Sequence, residues 1–191
     1  MKALRGFSLI ELIVGMLIFG ILLALAMPAF SNWLRNARVR TTAESVQNGL
    51  QLARAEAVRR NTPVGFHLVS TTGADCALDT TGPDWVVSLD DPSGLCGTPS
   101  SDTVAPRIIQ SRSAAEGGAA TTIASNTSSF GFNSLGRATP AGNVNFSSTS
   151  GEACLEDGGP VRCLRVVVSL GGQIRMCDPA LPDGDTQACR P

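Results

Sequence analysis

The sequence predicts an α+β protein in which one long N-terminal α-helix packs, along its second half, on an antiparallel β head. Three observations carry that reading. Phe7–Phe30 is an apolar run of 24 residues broken by a single acid, Glu11. Beyond it, Val39, Ala43, Val46, Leu50, Ala53 and Ala57 recur at steps of 4, 3, 4, 3 and 4, a stripe of helical period. From Val64 onward, short stretches alternate apolar and polar residues between Gly-, Ser- and Pro-rich segments, the period-two pattern of half-buried strands.

Met1–Gly6 is short and basic, with Lys2 and Arg5. Residues 7–30, at about 1.5 Å per residue, are long enough to cross the roughly 30 Å hydrocarbon core of a bilayer. A carboxylate in such a run costs about 2.5–3.5 kcal/mol on insertion scales, so Glu11 asks for a partner or a function. Two ordinary readings compete. A secretory signal would be cut after Ala24-Leu25-Ala26, ahead of Met27-Pro28, but the run is long for a signal core and Glu11 lies inside it. A plain signal anchor explains the span but not the Gly6-Phe7 pair before it.

Pro28 is expected to kink the helix rather than end it. Residues 31–61 form the amphipathic half, with Arg and Gln on the faces away from the stripe, and Asn61-Thr62-Pro63 stops it. The stripe needs a facing layer, so this half should lie against the sheet. From Phe7 to Arg60 the helix would be about 80 Å long at about 1.5 Å per residue.

Residues 62–191 form the head. Strands are expected at Val64–Leu68, Trp85–Leu89, Arg107–Gln110, Phe130–Phe132, Val144–Phe146 and Leu164–Leu170, the last turning at Gly171-Gly172 into Gln173–Cys177. Asn133–Pro140 reads as a turn, and Thr71–Pro83, Asp91–Pro106, Ala114–Ala120 and Gly151–Pro160 as loops.

Residues 61–191 carry seven Arg against thirteen Asp and Glu, a net charge of −6, which repels phosphate at long range. All six cysteines lie beyond the apolar run, which points to disulfides and an oxidising compartment. Of the fifteen possible pairings, the preferred one joins sequence neighbours: Cys76–Cys96, Cys154–Cys163 and Cys177–Cys189. There is no CxxC pair and the sole histidine is His67, in an alternating strand, so neither a zinc site nor another metal is expected. Asp90-Asp91 before Pro92 reads as a turn rather than a calcium loop. No catalytic constellation or cofactor motif stands out, and an enzyme role is not expected; a membrane-anchored enzyme is the outlying alternative.

Gly6-Phe7-Ser8-Leu9-Ile10-Glu11-Leu12, behind a basic leader and ahead of a long apolar helix, resembles the prepilin processing motif of type IV pilins and type II secretion pseudopilins. Leu52–Ala57 with Asn61–Val64, Phe130–Arg137 and Leu164–Cys177 resemble the GspH/FimT group, which includes minor pilins of FimU and FimT type. The resemblance implies a pilin-like fold and a structural subunit. A prepilin peptidase would cut between Gly6 and Phe7 and methylate the Phe7 amine, and a neighbouring subunit's Glu11 would neutralise that amine inside the filament. It implies a single-pass inner-membrane protein with a periplasmic head, built near the tip of a pilus or pseudopilus beside other minor pilins and the major subunit. DNA-uptake members of the group carry Gly-Arg-x-Arg; here Gly172-Gln173-Ile174-Arg175 keeps only Arg175, and Gly136-Arg137 adds one isolated Arg. Arg175 and Arg137 are therefore the candidates for a DNA-binding alternative, against the acidic balance of the head.

Overall fold

The stripe at steps of 4 and 3 is what the head is built on. The computed structural model describes residues 9–113 and 121–189; the leader Met1–Gly6, the Gly6–Phe7 junction and the Ala114–Ala120 loop lie outside the described residues. Helix α1 runs Leu9–Arg60 and continues through Pro28. The chain divides into two units, Met1–Leu34 and Arg35–Pro191. In the first, the large apolar side chains from Leu9 to Phe30 whose placement is described are all exposed, Leu9 at 79% and Leu23, the least, at 48%.

In the second unit, Val39, Ala43, Val46, Leu50, Ala53 and Ala57 are all buried. They join one core with the inward residues of nine strands' worth of head: β1 (Val64–Val69), β2 (Asp84–Ser88), β3 (Ile108–Arg112), β4 (Thr121–Ser125), β5 (Ser129–Phe132), β6 (Ala138–Thr139), β7 (Gly142–Ser148), β8 (Leu164–Val168) and β9 (Ile174–Cys177). The expected partner layer is present, but as two antiparallel sheets rather than one, ordered β3-β2-β1-β5-β6 and β4-β7-β8-β9. Phe66, Phe130 and Phe132 come from the first and Val144, Phe146, Val166 and Val168 from the second. Gly49 shows how closely helix and sheet approach: a Cβ there would lie 2.8 Å from the Phe66 ring and 3.1 Å from that of Trp85. A mid-helix glycine costs about 1 kcal/mol against alanine, and here it admits two aromatic rings. The Trp85 indole N–H donates to Ser45 Oγ on the helix at 3.1 Å.

Strand β2 is buried at all five residues. Trp85 and Val87 face the main core, and Val86 faces a second cluster with Val69, Cys76, Cys96 and Ile108. The Thr71–Pro83 and Asp91–Pro106 loops therefore cover the back of this strand, held by the Cys76–Cys96 disulfide. Two further disulfides, Cys154–Cys163 and Cys177–Cys189, close shorter loops. Two strands lie outside the sequence expectation. β4 (TTIAS) is an edge strand whose period shows only as buried Thr121 and Ile123, and β6 is a two-residue edge inside the Asn133–Pro140 turn.

His67 on β1 stands opposite Ser129 on β5, its Nδ1 2.9 Å from the serine Oγ. Burial pushes its pKa down to about 4, with the Asp91 charge pulling weakly the other way. An unfolded histidine titrates near 6.5. Between those values the unfolded chain binds a proton that the folded chain refuses. The neutral imidazole thus contributes fully above pH 6.5, and the contribution falls as pH drops towards 4, by up to about 3 kcal/mol. Carboxylates whose pKa is held low by partners, such as Glu56 through Arg59 and Asp90 through Arg107, also weaken the fold in acid. A difference between variants isolates the histidine. Denaturant midpoints of the detergent-solubilised chain should fall less between about pH 7 and about pH 4.5, roughly the window between the unfolded and folded titrations of the imidazole, in His67→Gln than in the parent; equal falls would remove this account.

Candidate functional site

Two regions present features that folding alone does not use. The first is the start of α1. Glu11 lies in its first turn and is exposed, among apolar side chains that are themselves exposed. About six turns of helix whose described large apolar side chains are exposed need another apolar environment: lipid, or the same helix of neighbouring subunits. At the far end of this run Phe30 and Trp33 stack with ring centroids 5.9 Å apart and are each 64% exposed, the residue types that sit at membrane–water boundaries. Gly6 and Phe7 lie outside the described residues.

The second region is on the head, where three segments distant in sequence meet. The turn Asn133–Arg137 is closed by Gly136 N–H to Asn133 O at 2.8 Å, and Asn133 Oδ1 accepts from the backbone N–H of both Leu135 and Arg137. The β8–β9 turn is closed by Gly172 N–H to Ser169 O at 2.8 Å and Gln173 N–H to Ser169 Oγ at 3.1 Å. The two turns touch. Ala138 N–H donates to Leu170 O, and a Cβ on Gly172 would fall 1.8 Å from Gly136 O. Gly172 also has φ +78°, so no other residue type fits. Arg54 Nε lies 3.1 Å and 3.3 Å from the Cβ positions of Gly136 and Gly172, and Val58 reaches Gly136 as well. Helix and both turns thus form one continuous surface.

Of the two sequence-named arginines, Arg137 lies on the first of these turns. Arg175 lies on β9, opposite Val167 of β8, on the face away from the core. They are not brought into one cluster. Arg175 instead has Arg165 as a diagonal neighbour on β8, with Arg165 Nε donating to Asn145 Oδ1 at 2.6 Å. Sequence reasoning missed Arg165, although strand parity supplies it: Arg165 and Val167 share a face, and Val167 pairs with Arg175. Among the described residues, Arg54, Arg137, Arg165 and Arg175 form no ion pair. Arg35, Arg40, Arg59, Arg60, Arg107 and Arg162 are each matched to a carboxylate.

His67, Ser129 and Asp91 resemble the parts of a nucleophilic triad, but not its geometry. The Asp91 carboxylate accepts through Oδ1 from the Ser93 N–H and hydroxyl at 3.0 and 2.7 Å, and the hydrogen bond of the imidazole is to Ser129 rather than to this carboxylate. An imidazole of pKa about 4 is also a weak base at neutral pH. A cross-strand polar pair accounts for the contact. The grouping of Cys154, Glu156 and Asp157 offers no thiolate to a metal, because Cys154 is bonded to Cys163.

Residues 42–172 match the family model of the type II transport protein GspH, and residues 1–27 match the prokaryotic N-terminal methylation motif. The methylation motif implies processing by a prepilin peptidase and assembly as a pilin or pseudopilin. Among solved structures, the chain is similar to the type IV minor pilin FimU of Pseudomonas aeruginosa strain PAO1, at 16% identity over 79% of this chain and 99% of that one, with a TM-score of 0.48. It is also similar to GspH of E. coli, at 17% identity over 75% of this chain and 89% of that one, with a TM-score of 0.44. No curated protein matches. The GspH match runs from the buried helix stripe, through both sheets, to the β8–β9 turn, more than half of the chain, and the protein belongs to the family of the type II transport protein GspH.

Proposed function

We propose that the protein is a minor pilin or pseudopilin that primes or caps a filament. Residues 1–6 are a leader, 7–30 the membrane and assembly half of the helix, 31–61 its amphipathic half and 62–191 a periplasmic head. The observation that carries this reading is the exposed apolar start of α1 with Glu11 in its first turn, on a helix that runs on into the core of the head. Held in the inner membrane, such a helix waits in lipid. In a filament the helices of neighbours replace that lipid, and the apolar faces change environment at little cost. Specificity must then come from the polar group. After cleavage between Gly6 and Phe7 the new Phe7 amine is a cation, and pairing it with Glu11 of the next subunit removes two charges from an apolar surrounding at one register only. The disulfides suit an oxidising periplasm.

DNA capture is a second reading, favoured by Arg165 and Arg175 lying together without carboxylate partners on the outer face of the second sheet. Two guanidinium groups on a head of net charge −6 make a weak phosphate site.

Three measurements test these readings. Gly6→Val should leave uncut precursor, and mass spectrometry of the parent should find a mature chain that starts with N-methyl-Phe7; a chain starting at Met27 would establish secretory cleavage instead. Glu11→Ala should insert in the membrane at least as well as the parent but enter filaments poorly, and normal incorporation would remove the role given to Glu11. The mature protein in detergent should bind double-stranded DNA with a Kd of about 10⁻⁴ M or weaker near physiological salt, falling steeply with salt and lost in Arg175→Ala. Micromolar binding under those conditions, lost in Arg175→Ala, would make DNA capture the main function.

A further inference from the structure

On its solvent side the first sheet has a floor without side chains. Gly65 of β1 pairs with Gly131 of β5, while the flanking Val64, Phe66, Phe130 and Phe132 are buried in the core. Glycine weakens a strand interior and marks places where another group comes close. For Gly65 that group is on the chain itself: a Cβ there would fall 2.3 Å from His67 Nε2, so the imidazole lies across it. Gly131 has no such cover. Among the described residues, its chain neighbours aside, a Cβ there would meet within 4 Å only Thr139 O, at 3.3 Å. Both glycines line a cavity of about 410 Å³, whose walls include Leu78, Leu89 and Thr139.

The polar side chains of this cavity offer acceptors. Asp91 Oδ1 takes both hydrogen bonds from Ser93, which leaves Oδ2 unpartnered among the described residues. Asp90, beside it, is held through both oxygens by Arg107. His67 is neutral at physiological pH and bonds through Nδ1 to Ser129; with the proton on Nδ1, the Nε2 atom over Gly65 is a second acceptor. Asp91 and the imidazole are close enough to act on each other electrostatically. No arginine or lysine is among the lining residues. Asp91 follows β2 and Asn133 follows β5, with β1 between them, so the acid and the turn that carries Arg137 lie on opposite sides of the cavity. The same turn presents Leu135, 78% exposed, as an apolar ledge beside it. The cavity is thus apolar in its walls, negative on one side and short of charged donors. An aliphatic stem that ends in a positive charge and several N–H donors complements it, and arginine carries five such donors on a fixed fork.

We propose that this cavity receives an arginine side chain from a different subunit of the filament, with its stem over Gly131, its guanidinium on Asp91 and His67 Nε2, and the chain around it resting on Leu135. A charge-assisted bond at one enclosed point gives orientation as well as attraction. The proposal rests on the pilin reading and deepens it: a subunit that primes or caps a filament must hold a neighbour that is not a copy of itself.

The test uses the full-length chain in its own membrane, with a photo-crosslinking amino acid in place of the exposed Thr139. Peptide mapping should find adducts on one segment of another pilin-like subunit, next to an arginine. Asp91→Asn keeps an Oδ1 acceptor for Ser93 and removes only the charge, so it should lower the adduct about tenfold or more. Changing the partner's arginine to aspartate should lower it as far, and combining that change with Asp91→Arg should restore most of it. Adducts only with a second copy of this chain, adducts only on segments without an arginine, no adduct, an adduct unmoved by Asp91→Asn, or a charge swap without rescue would each overturn the proposal. N-terminal mass and recovery in the filament fraction are scored on the same samples. A processed, incorporated chain without the adduct sinks this contact and leaves the pilin reading standing, whereas an unprocessed chain sinks that reading and this contact with it.

Discussion

The buried stripe from Val39 to Ala57 is the contact on which the head depends. It is made of small residues: three alanines and two valines with Leu50. Small side chains on the helix let large ones on the sheets come close, and the aromatic volume is supplied from the other side by Phe66, Trp85, Phe130, Phe132 and Phe146. Gly49 carries the same logic one step further by removing the side chain altogether beneath two rings. The two sheets share one core because both turn an alternating face to this one helix.

That dependence explains which features could be read from sequence. The stripe was legible because a helix repeats its buried positions at steps a reader can count, and all six stripe residues are buried. β1, β5, β7 and β8 were legible because one face meets the core and the other meets solvent, as in the BiBiBB pattern of β1. β2 was legible only as a short apolar run, since it is buried on both faces. β4 and β6 were not, because edge strands owe their pairing to a neighbour rather than to their own pattern: Thr121–Ser125 is ordered by β7 and Ala138–Thr139 by β5. The division into two sheets was likewise hidden, since alternation says which face is inward but not which strands are neighbours.

The arginines divide along the same line. Sequence reading singled out Arg137 and Arg175 by their place in motifs. The fold puts Arg137 and Arg54 on one surface through the contact of two turns more than thirty residues apart, and puts Arg175 beside Arg165 instead. Turn-to-turn packing has no period and leaves no trace in spacing. Its one sequence trace is glycine: Gly136 and Gly172 both hold positive φ, and Gly172 also has no room for a side chain. Read as positions of close approach rather than as flexible punctuation, the two glycines would have pointed to each other.

The same economy of contacts separates what the chain needs for folding from what it needs for assembly. The stripe, the two sheets and the buried disulfide cluster complete the head without using the apolar start of α1, Leu135, Leu170 or the free guanidinium groups. Water penalises exposed apolar surface wherever it remains, and the described large apolar side chains from Leu9 to Phe30 stay exposed over about six turns of helix. Lipid can cover that surface, and so can the same helix of a neighbouring subunit, at little difference in cost, because both are equally apolar. What can tell the two surroundings apart is therefore not the apolar stretch but the one acid within it, Glu11 in the first turn, whose charge costs most where no opposite charge is at hand.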